Sequence, residues 1–321
     1  MKPTPTLPQH QLNANLADGL LIRVGIPHKA GRLPSHAFKQ GYAVMVSANA
    51  FWNPSKHEFA FPEFTVLTDS DFAMDSAGFT AMLNWKAKGR QPGMAGVFPW
   101  TYAQYVAFAT SCGASWWSQP DLCCEPQVAS DGKEVDYRVR ATASLLEGTL
   151  MTLYEWQNQL ARSCSSTVVA NMLTPPLPVL QGWSASMYLR SLDLMMAVWE
   201  RWQPWLAPPA LIGLGSVCRR PVEHPEHGLG AVLGVLKGNL PRGSRLHLFG
   251  IKGESLSALR DLDWIASADS MAWDFSARIK AHRSGHSNSL EHRSAEMDRW
   301  FHSMLHCAVK RSPTLSRLQE A

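Results

Sequence analysis

The amino-acid sequence predicts an α/β fold built on one parallel sheet, and three observations carry that expectation. Short apolar runs alternate with longer segments of helical spacing over about 250 residues, the pattern of repeated strand–helix units. The chain has 321 residues, 45% of them hydrophobic, which suits one large core and is too long for a small binding module. Only 17% of the residues are charged, so wholesale disorder is excluded. No Gly-x-Gly-x-x-Gly follows an early strand, which disfavours the doubly wound dinucleotide-binding topology.

The elements follow in order. Residues 1–40 are rich in Pro and polar types with little periodicity, and are expected to form an amino-terminal surface segment. Strands are predicted at 43–49, 64–68, 114–119, 177–181, 210–214, 245–250 and 264–268, each a short apolar run bounded by turn residues. Helices are predicted at 101–111, 138–162, 185–206, 226–238 and 254–261. The segment 185–206 places apolar residues at three- and four-residue steps, with Arg190, Asp193, Glu200 and Arg201 elsewhere on the wheel. Seven visible strands and one unseen would close a single-domain (β/α)8 TIM barrel over residues 41–289, followed by a basic helix at 290–321.

Charge and cysteine usage narrow the setting. The net charge of +4 permits a polyanionic partner without requiring one. Its excess gathers late in the chain, where Arg278, Lys280, Arg283, Arg293 and Arg299 outnumber nearby acids. The six cysteines show no Cys-x-x-Cys pair, and read as reduced thiols of an intracellular protein. No apolar run reaches the ~18 residues of a membrane span, and no secretory leader is visible. A cytoplasmic protein without membrane contact is expected.

In a barrel, reactive residues stand at the carboxyl ends of strands. Those ends supply Asp75, Asp121 and Asp269, with Gln181-Gly182 and Gly213-Leu214-Gly215 between them. Carboxylates brought together repel, so at least one is expected to hold its proton near neutrality. One ionised Asp then suits attack on an electrophilic sugar carbon while another shuttles protons. An Asp, a Gln amide and the backbone of the Gly-Leu-Gly turn suit the edge of a heterocyclic base, with Phe79 stacking on its face and Cys123 lining the pocket. Arg219 and Arg220 are candidate phosphate ligands, and Trp273, next to Asp269 in sequence, is a candidate contact for a nucleic-acid strand.

These segments also resemble a family. Asp75-Ser76-Ala77-Gly78-Phe79 is similar to the Asp-Ser-Gly-Gly-Phe signature of the tRNA-guanine transglycosylases, with Ala for the first Gly. Asp121-Leu122-Cys123 resembles that family's Asp-Glu-Cys turn, and Gln181-Gly182 its Gln-Gly-Gly. Gly213-Leu214-Gly215-Ser216-Val217 and Leu248-Phe249-Gly250 resemble its Gly-Gly-Leu-Ala-Val and Leu-Met-Gly segments, in family order. The resemblance implies Asp269 as nucleophile and Asp75 as general acid/base. Asp269 is preferred to Asp274 because its spacing to Arg278 matches that from the family nucleophile to the second Arg of its motif.

Two departures qualify the likeness. Most of the family's anticodon-gripping stretch is replaced between Asp269 and Arg278. The family's zinc cluster is also missing, since Cys307 is the only cysteine after Asp269. Tetrahedral zinc needs four ligands, so no metal is expected, with His302, His306 and Cys307 as the only metal-type group in view. No cofactor is expected either. Both departures resemble the branch of DNA-guanine transglycosylases found on phages and mobile elements (DpdA-like). That resemblance implies exchange of guanine in DNA for a free 7-deazaguanine base such as preQ0, within a host cytoplasm if phage-encoded. A tRNA-directed enzyme of the queuosine or archaeosine pathway, a noncatalytic nucleic-acid-binding or partner subunit, and a base-releasing glycosidase stand as alternatives.

Overall fold

The structure, a computed structural model, describes residues 20–308 with the exception of Arg219. Nine strands are assigned in it: β1 (Leu21–Ile26), β2 (Val44–Ser47), β3 (Trp52–Asn53), β4 (Glu58–Phe59), β5 (Phe72–Asp75), β6 (Val179–Leu180), β7 (Leu211–Leu214), β8 (Arg245–Leu248) and β9 (Ile265–Ser270). The α-helices are α1 (Arg32–Lys39), α2 (Gly78–Lys88), α3 (Tyr102–Ser111), α4 (Gly132–Leu160), α5 (Ser166–Met172), α6 (Ala185–Arg201), α7 (Leu229–Leu236), α8 (Gly253–Leu259), α9 (Ala272–Arg283) and α10 (Leu290–Ala308).

Seven strands form one curled parallel sheet in the order β5-β2-β1-β9-β8-β7-β6, while β3 and β4 make a separate antiparallel hairpin. The sheet is the curled part of the expected barrel, and five of the seven predicted strands lie in it, at 43–49, 177–181, 210–214, 245–250 and 264–268. The two edge strands approach the same segment: Trp117 bridges Met74 of β5, and Ser118 bridges Leu177 just before β6. Residues 114–119 thus enter the sheet as single bridges rather than as the full strand expected.

The sheet's two faces bury different cores. Val24, Val44, Val46, Phe72, Ile212 and Leu246 face the helices and join the large outer core. Met45, Ala73, Trp116, Leu177, Leu211 and Ala266 fill the smaller concave side. Along most strands this is the plain period-two alternation of a pleated sheet. β9 breaks it. Leu246 pairs with Ile265, but His247 pairs with Ser267, so the register slips by one residue at Ala266. The slip is bulge-like, and it turns Ser267 and Asp269 onto the same concave side as His247.

Two expectations are corrected here. The strand predicted at 64–68 is instead a loop with a short 3-10 turn at Leu67–Asp69, where Ser70 Oγ donates to Val66 O at 2.6 Å. The strand itself comes later, as β5. The segment expected to wrap the surface before residue 41 holds β1, paired with β2 on one side and β9 on the other. Arg23 in its centre obscured the strand. Its guanidinium is 2% exposed and is held by Asp71 Oδ1 at 3.0 Å, a carboxylate that also accepts from Ser115 Oγ at 2.5 Å.

Trp273 requires a third correction. It is 1% exposed, and its Nε1 donates to Gly25 O at 2.9 Å, so it anchors α9 on β1 rather than meeting a nucleic-acid strand. Trp273→Ala is accordingly expected to cost about 3–5 kcal/mol in denaturant unfolding, whereas a surface aromatic would cost under about 1 kcal/mol.

Candidate active site

A cavity of about 260 Å³ opens at the carboxyl ends of the strands and is lined by all three predicted carboxylates, Asp75, Asp121 and Asp269. Phe79, Cys123, Gln181 and Gly215 line it as well. The convergence follows largely from topology, since Asp75, Gln181, Gly215 and Asp269 stand at the carboxyl ends of parallel strands of one sheet. Of the predicted base-binding positions, Gly182, Gly213 and Leu214 lie off its wall. Leu214 is fully buried in the outer core. A Cβ on Gly213 would lie 2.5 Å from the Phe249 ring, so that glycine makes room for a side chain of the wall.

Asp75 is the last residue of β5. The chain then turns sharply, with Ala77 at φ 65°, the left-handed region where an L side chain is strained. The turn aims the Ala77 N–H at Asp75 Oδ1, and Ser47 Oγ donates to the same oxygen at 3.5 Å. Gly78 follows because a Cβ there would lie 2.5 Å from the Asp121 carbonyl oxygen. Phe79 opens the first turn of α2 and is 41% exposed, its ring available at the cavity wall.

Asp121 belongs to a chain of polar groups that ties four segments together. Ser76 Oγ donates to its Oδ1 at 2.6 Å, and the Gln181 amide donates to its Oδ2. Ser216 Oγ lies 2.5 Å from the Gln181 Oε1 and 3.1 Å from Glu125 Oε2, and accepts from the Cys124 N–H at 2.7 Å. Ser216 also takes a left-handed conformation, φ 54°. Gly215 must be glycine for this arrangement: a Cβ would sit 2.2 Å from Gln181 Nε2. The backbone N–H groups of Gly213 and Gly215 donate to Pro178 O and Leu180 O, so the glycine turn does not offer them to a ligand, as had been expected.

Asp269 sits near the end of β9. Its Oδ1 accepts from the Gly250 N–H at 3.0 Å, and His247 Nε2 stands 3.3 Å from the same oxygen. Asp274, the alternative nucleophile, is committed elsewhere: it pairs with Arg293 at 2.5 Å and Arg278 at 3.3 Å, and is buried.

Burial sets the protonation of the cavity. The Asp75 carboxyl is pushed up to about 7, first by burial and then by the neighbouring charges of Asp269 and Asp121. Hydrogen bonds from Ala77 and Ser47 only partly offset this. Burial raises Asp121 and Glu125 as well, against hydrogen bonds from Ser76, Gln181 and Cys123 to the former and Ser216 to the latter. The Cys123 thiol is pushed well above its ordinary value by burial and by the surrounding carboxylates, which leaves it a neutral wall residue.

The basic residues divide. Arg220 is 3% exposed, with its guanidinium donating to the carbonyls of Ser216, Trp183 and His227 and stacked over the Trp183 ring at 4.3 Å. It holds the loop after β7 in place and has no donor to spare for a phosphate. Arg219 lies outside the described residues. Arg278 and Lys280 are exposed but paired with Asp274 and Glu296, which absorbs much of the local positive charge. Arg283 is exposed at the end of α9. His302 and His306 lie exposed on α10, and no cluster of three metal-type side chains occurs among the described residues. No described helix is long and apolar enough to cross a membrane.

Sequence reasoning missed Ser76, Glu125, Ser216 and His247. Ser76, Glu125 and Ser216 sit within or beside the quoted motifs, where a hydroxyl or carboxyl next to a strand end was a usable signal. His247 had none, because it stands inside a strand.

The described residues thus form a carboxylate-lined cavity at the mouth of a parallel α/β sheet. A family model described as DpdA: DeoxyPurine in DNA protein A matches residues 65–316, well over half of the chain. The chain belongs to the DpdA family, a DNA-guanine transglycosylase family related to the tRNA-guanine transglycosylases. It is thus a transglycosylase, a kind of glycosyltransferase, with DNA as its substrate. Comparison with curated proteins gives no match.

Two measurements follow from the geometry. Asp75 binds its proton more tightly in the folded than in the unfolded chain, so its contribution to stability falls as pH rises from the ordinary 3.8 toward about 7. Denaturant unfolding from pH 4 to 8 should show that decline, and Asp75→Asn should flatten it relative to wild type. Gly215→Ala should push the Gln181 amide away from Asp121 and lower stability in denaturant unfolding by about 1–3 kcal/mol, the cost of leaving buried polar groups unpaired.

Proposed function

We propose that this protein exchanges guanine in DNA for a free 7-deazaguanine base of the preQ0 type, through a covalent nucleotide ester on Asp269. The observation that carries the reading is the sharing of one cavity by Asp75, Asp121 and Asp269. The target deoxyguanosine leaves the base stack to enter the cavity. A carboxylate oxygen of Asp269 attacks C1′ as the bond from C1′ to N9 breaks, and an ester to the sugar forms. Asp75, poised near neutrality, supplies a proton to the departing guanine. The incoming 7-deazaguanine then gives its N9 proton to Asp75 and attacks C1′, and the Asp269 carboxylate is released.

Asp121 and Gln181 read the edge of the base. The Asp121 carboxyl, fixed by Ser76, suits the ring N–H and exocyclic amine that guanine and 7-deazaguanines share, and Phe79 suits the ring face. Arg283 and the exposed flank of Arg278 are candidate contacts for the phosphates of the same strand. We read residues 116–119 as the eighth strand of a (β/α)8 ring, a reading supported by their bridges to both sheet edges. The barrel then starts at β1, and α10 is a helical appendage to it; the rest of the basic segment expected at 290–321 lies outside the described residues.

The test is a trapped DNA–protein adduct. Wild type incubated with guanine-containing DNA should yield an adduct that free preQ0 resolves, with the label entering DNA and not tRNA. Asp269→Asn should lower adduct formation by about 10³-fold or more. An equally strong adduct in the variant would remove Asp269 as nucleophile, and label entering only tRNA would reassign the substrate.

A further inference from the structure

Against Asp269 lies a histidine that no motif pointed to. His247, in β8, is fully buried, and its ring is held edge-on by Trp116 and Phe249, with centroids 4.8 and 4.6 Å away. Its Nδ1 lies 2.7 Å from Ser267 Oγ. Its Nε2 points toward Asp269, 3.3 Å from Oδ1, yet makes no aligned hydrogen bond with any described residue. Leaving a buried ring nitrogen without a partner is costly, so its position here calls for an explanation. The Gly250 N–H falls on the same Oδ1 at 3.0 Å. Among the described residues no hydrogen bond is assigned to the other oxygen, Oδ2.

We propose that His247 is the positioning residue of the nucleophile: Ser267 selects the neutral tautomer with the proton on Nε2, and that N–H holds Oδ1 so that Oδ2 faces the sugar. This rests on the reading of Asp269 as nucleophile. The chemistry of the pair supports it. Burial lowers the affinity of the imidazole for a second proton, as does the Arg23 guanidinium, and only Asp269 opposes them. The ring is therefore neutral, with one proton to place. With that proton on Nδ1, the Nε2 lone pair would face a carboxylate oxygen. With the Ser267 hydroxyl donating to Nδ1, Nε2–H faces it instead. The contact needs only a small closure to become a hydrogen bond, as is common before substrate arrives.

The proton stays on His247 through the whole cycle. Oδ2 forms the ester to C1′, and Oδ1 becomes the ester carbonyl oxygen, still facing the same two donors. When the incoming base displaces the ester, both donors stabilise the carboxylate that leaves. His247 thus acts through Asp269 and touches no substrate.

Two readouts test this. In ¹⁵N-labelled protein at neutral pH, long-range ¹H–¹⁵N correlation should show His247 as the neutral Nε2–H tautomer, with a resonance that moves in Asp269→Asn. A Nδ1–H tautomer or a charged ring would overturn the proposal, and this readout does not depend on the reaction. In rapid-quench assays per folded enzyme, His247→Phe should slow both formation and resolution of the adduct by about 10–100-fold, the cost of a nucleophile misplaced by about 1 Å. The KM for the free base should stay within about twofold. His247→Gln, whose amide N–H reaches the Nε2 position, should recover most of the rate. Loss of stability in His247→Phe with unchanged rates would overturn the proposal and mark the ring as packing alone. If wild type forms no adduct, the nucleophile reading fails, while the tautomer measurement still decides whether His247 donates to Asp269.

Discussion

Everything at the mouth of this sheet depends on keeping several carboxylates close together in a poorly solvated space. Asp75, Asp121, Glu125 and Asp269 line one small cavity, and none has a salt-bridge partner among Lys or Arg in the described residues. Like charges so placed cannot all ionise. The protein responds by treating each acid separately: backbone N–H groups for Asp75 and Asp269, Ser76 and the Gln181 amide for Asp121, Ser216 for Glu125. The arginines that might have neutralised the group are used elsewhere. Arg23 is paired with Asp71 and Arg220 is spent on backbone carbonyls. A cationic cavity would hold every carboxylate ionised. The observed one leaves Asp75 able to exchange a proton near neutrality.

The same economy shapes the walls. Side-chain packing fixes the concave face up to Trp116 and Phe249, and polar groups begin immediately above it. His247 and Ser267 occupy that boundary, where a polar side chain has few partners to choose from. Two left-handed residues that are not glycine, Ala77 and Ser216, sit beside the acids they serve. Both positions carry backbone strain next to a hydrogen bond that the strained geometry makes possible, which fits a site held in shape before its ligand enters.

Much of this was legible in the sequence, and what was not has identifiable causes. The site motifs were readable because each couples an acid or amide to glycines that close approach requires, as Gly78 does for Asp121 and Gly215 for Gln181. The helices α3, α6 and α7 followed from apolar spacing. β1 was hidden because Arg23 interrupts its apolar run, and only the distant Asp71 explains why an arginine can be buried there. The run 64–68 looked like a strand by composition, while local hydroxyl chemistry made it a turn. Trp273 and Arg220 are adjacent in sequence to reactive segments but point away from them, into core and loop. Direction is a property of the fold, and adjacency in sequence does not report it.

Direction is also what the slip in β9 decides. Ala266 and Ser267 together answer one residue of β8, and every side chain after them changes face. The place of Asp269 is therefore set by a count of residues. One residue more or fewer between Ile265 and Asp269 would turn Asp269 to the other face of the sheet. A family alignment that treats a gap here as an ordinary loop indel would pair residues from opposite sides of the sheet.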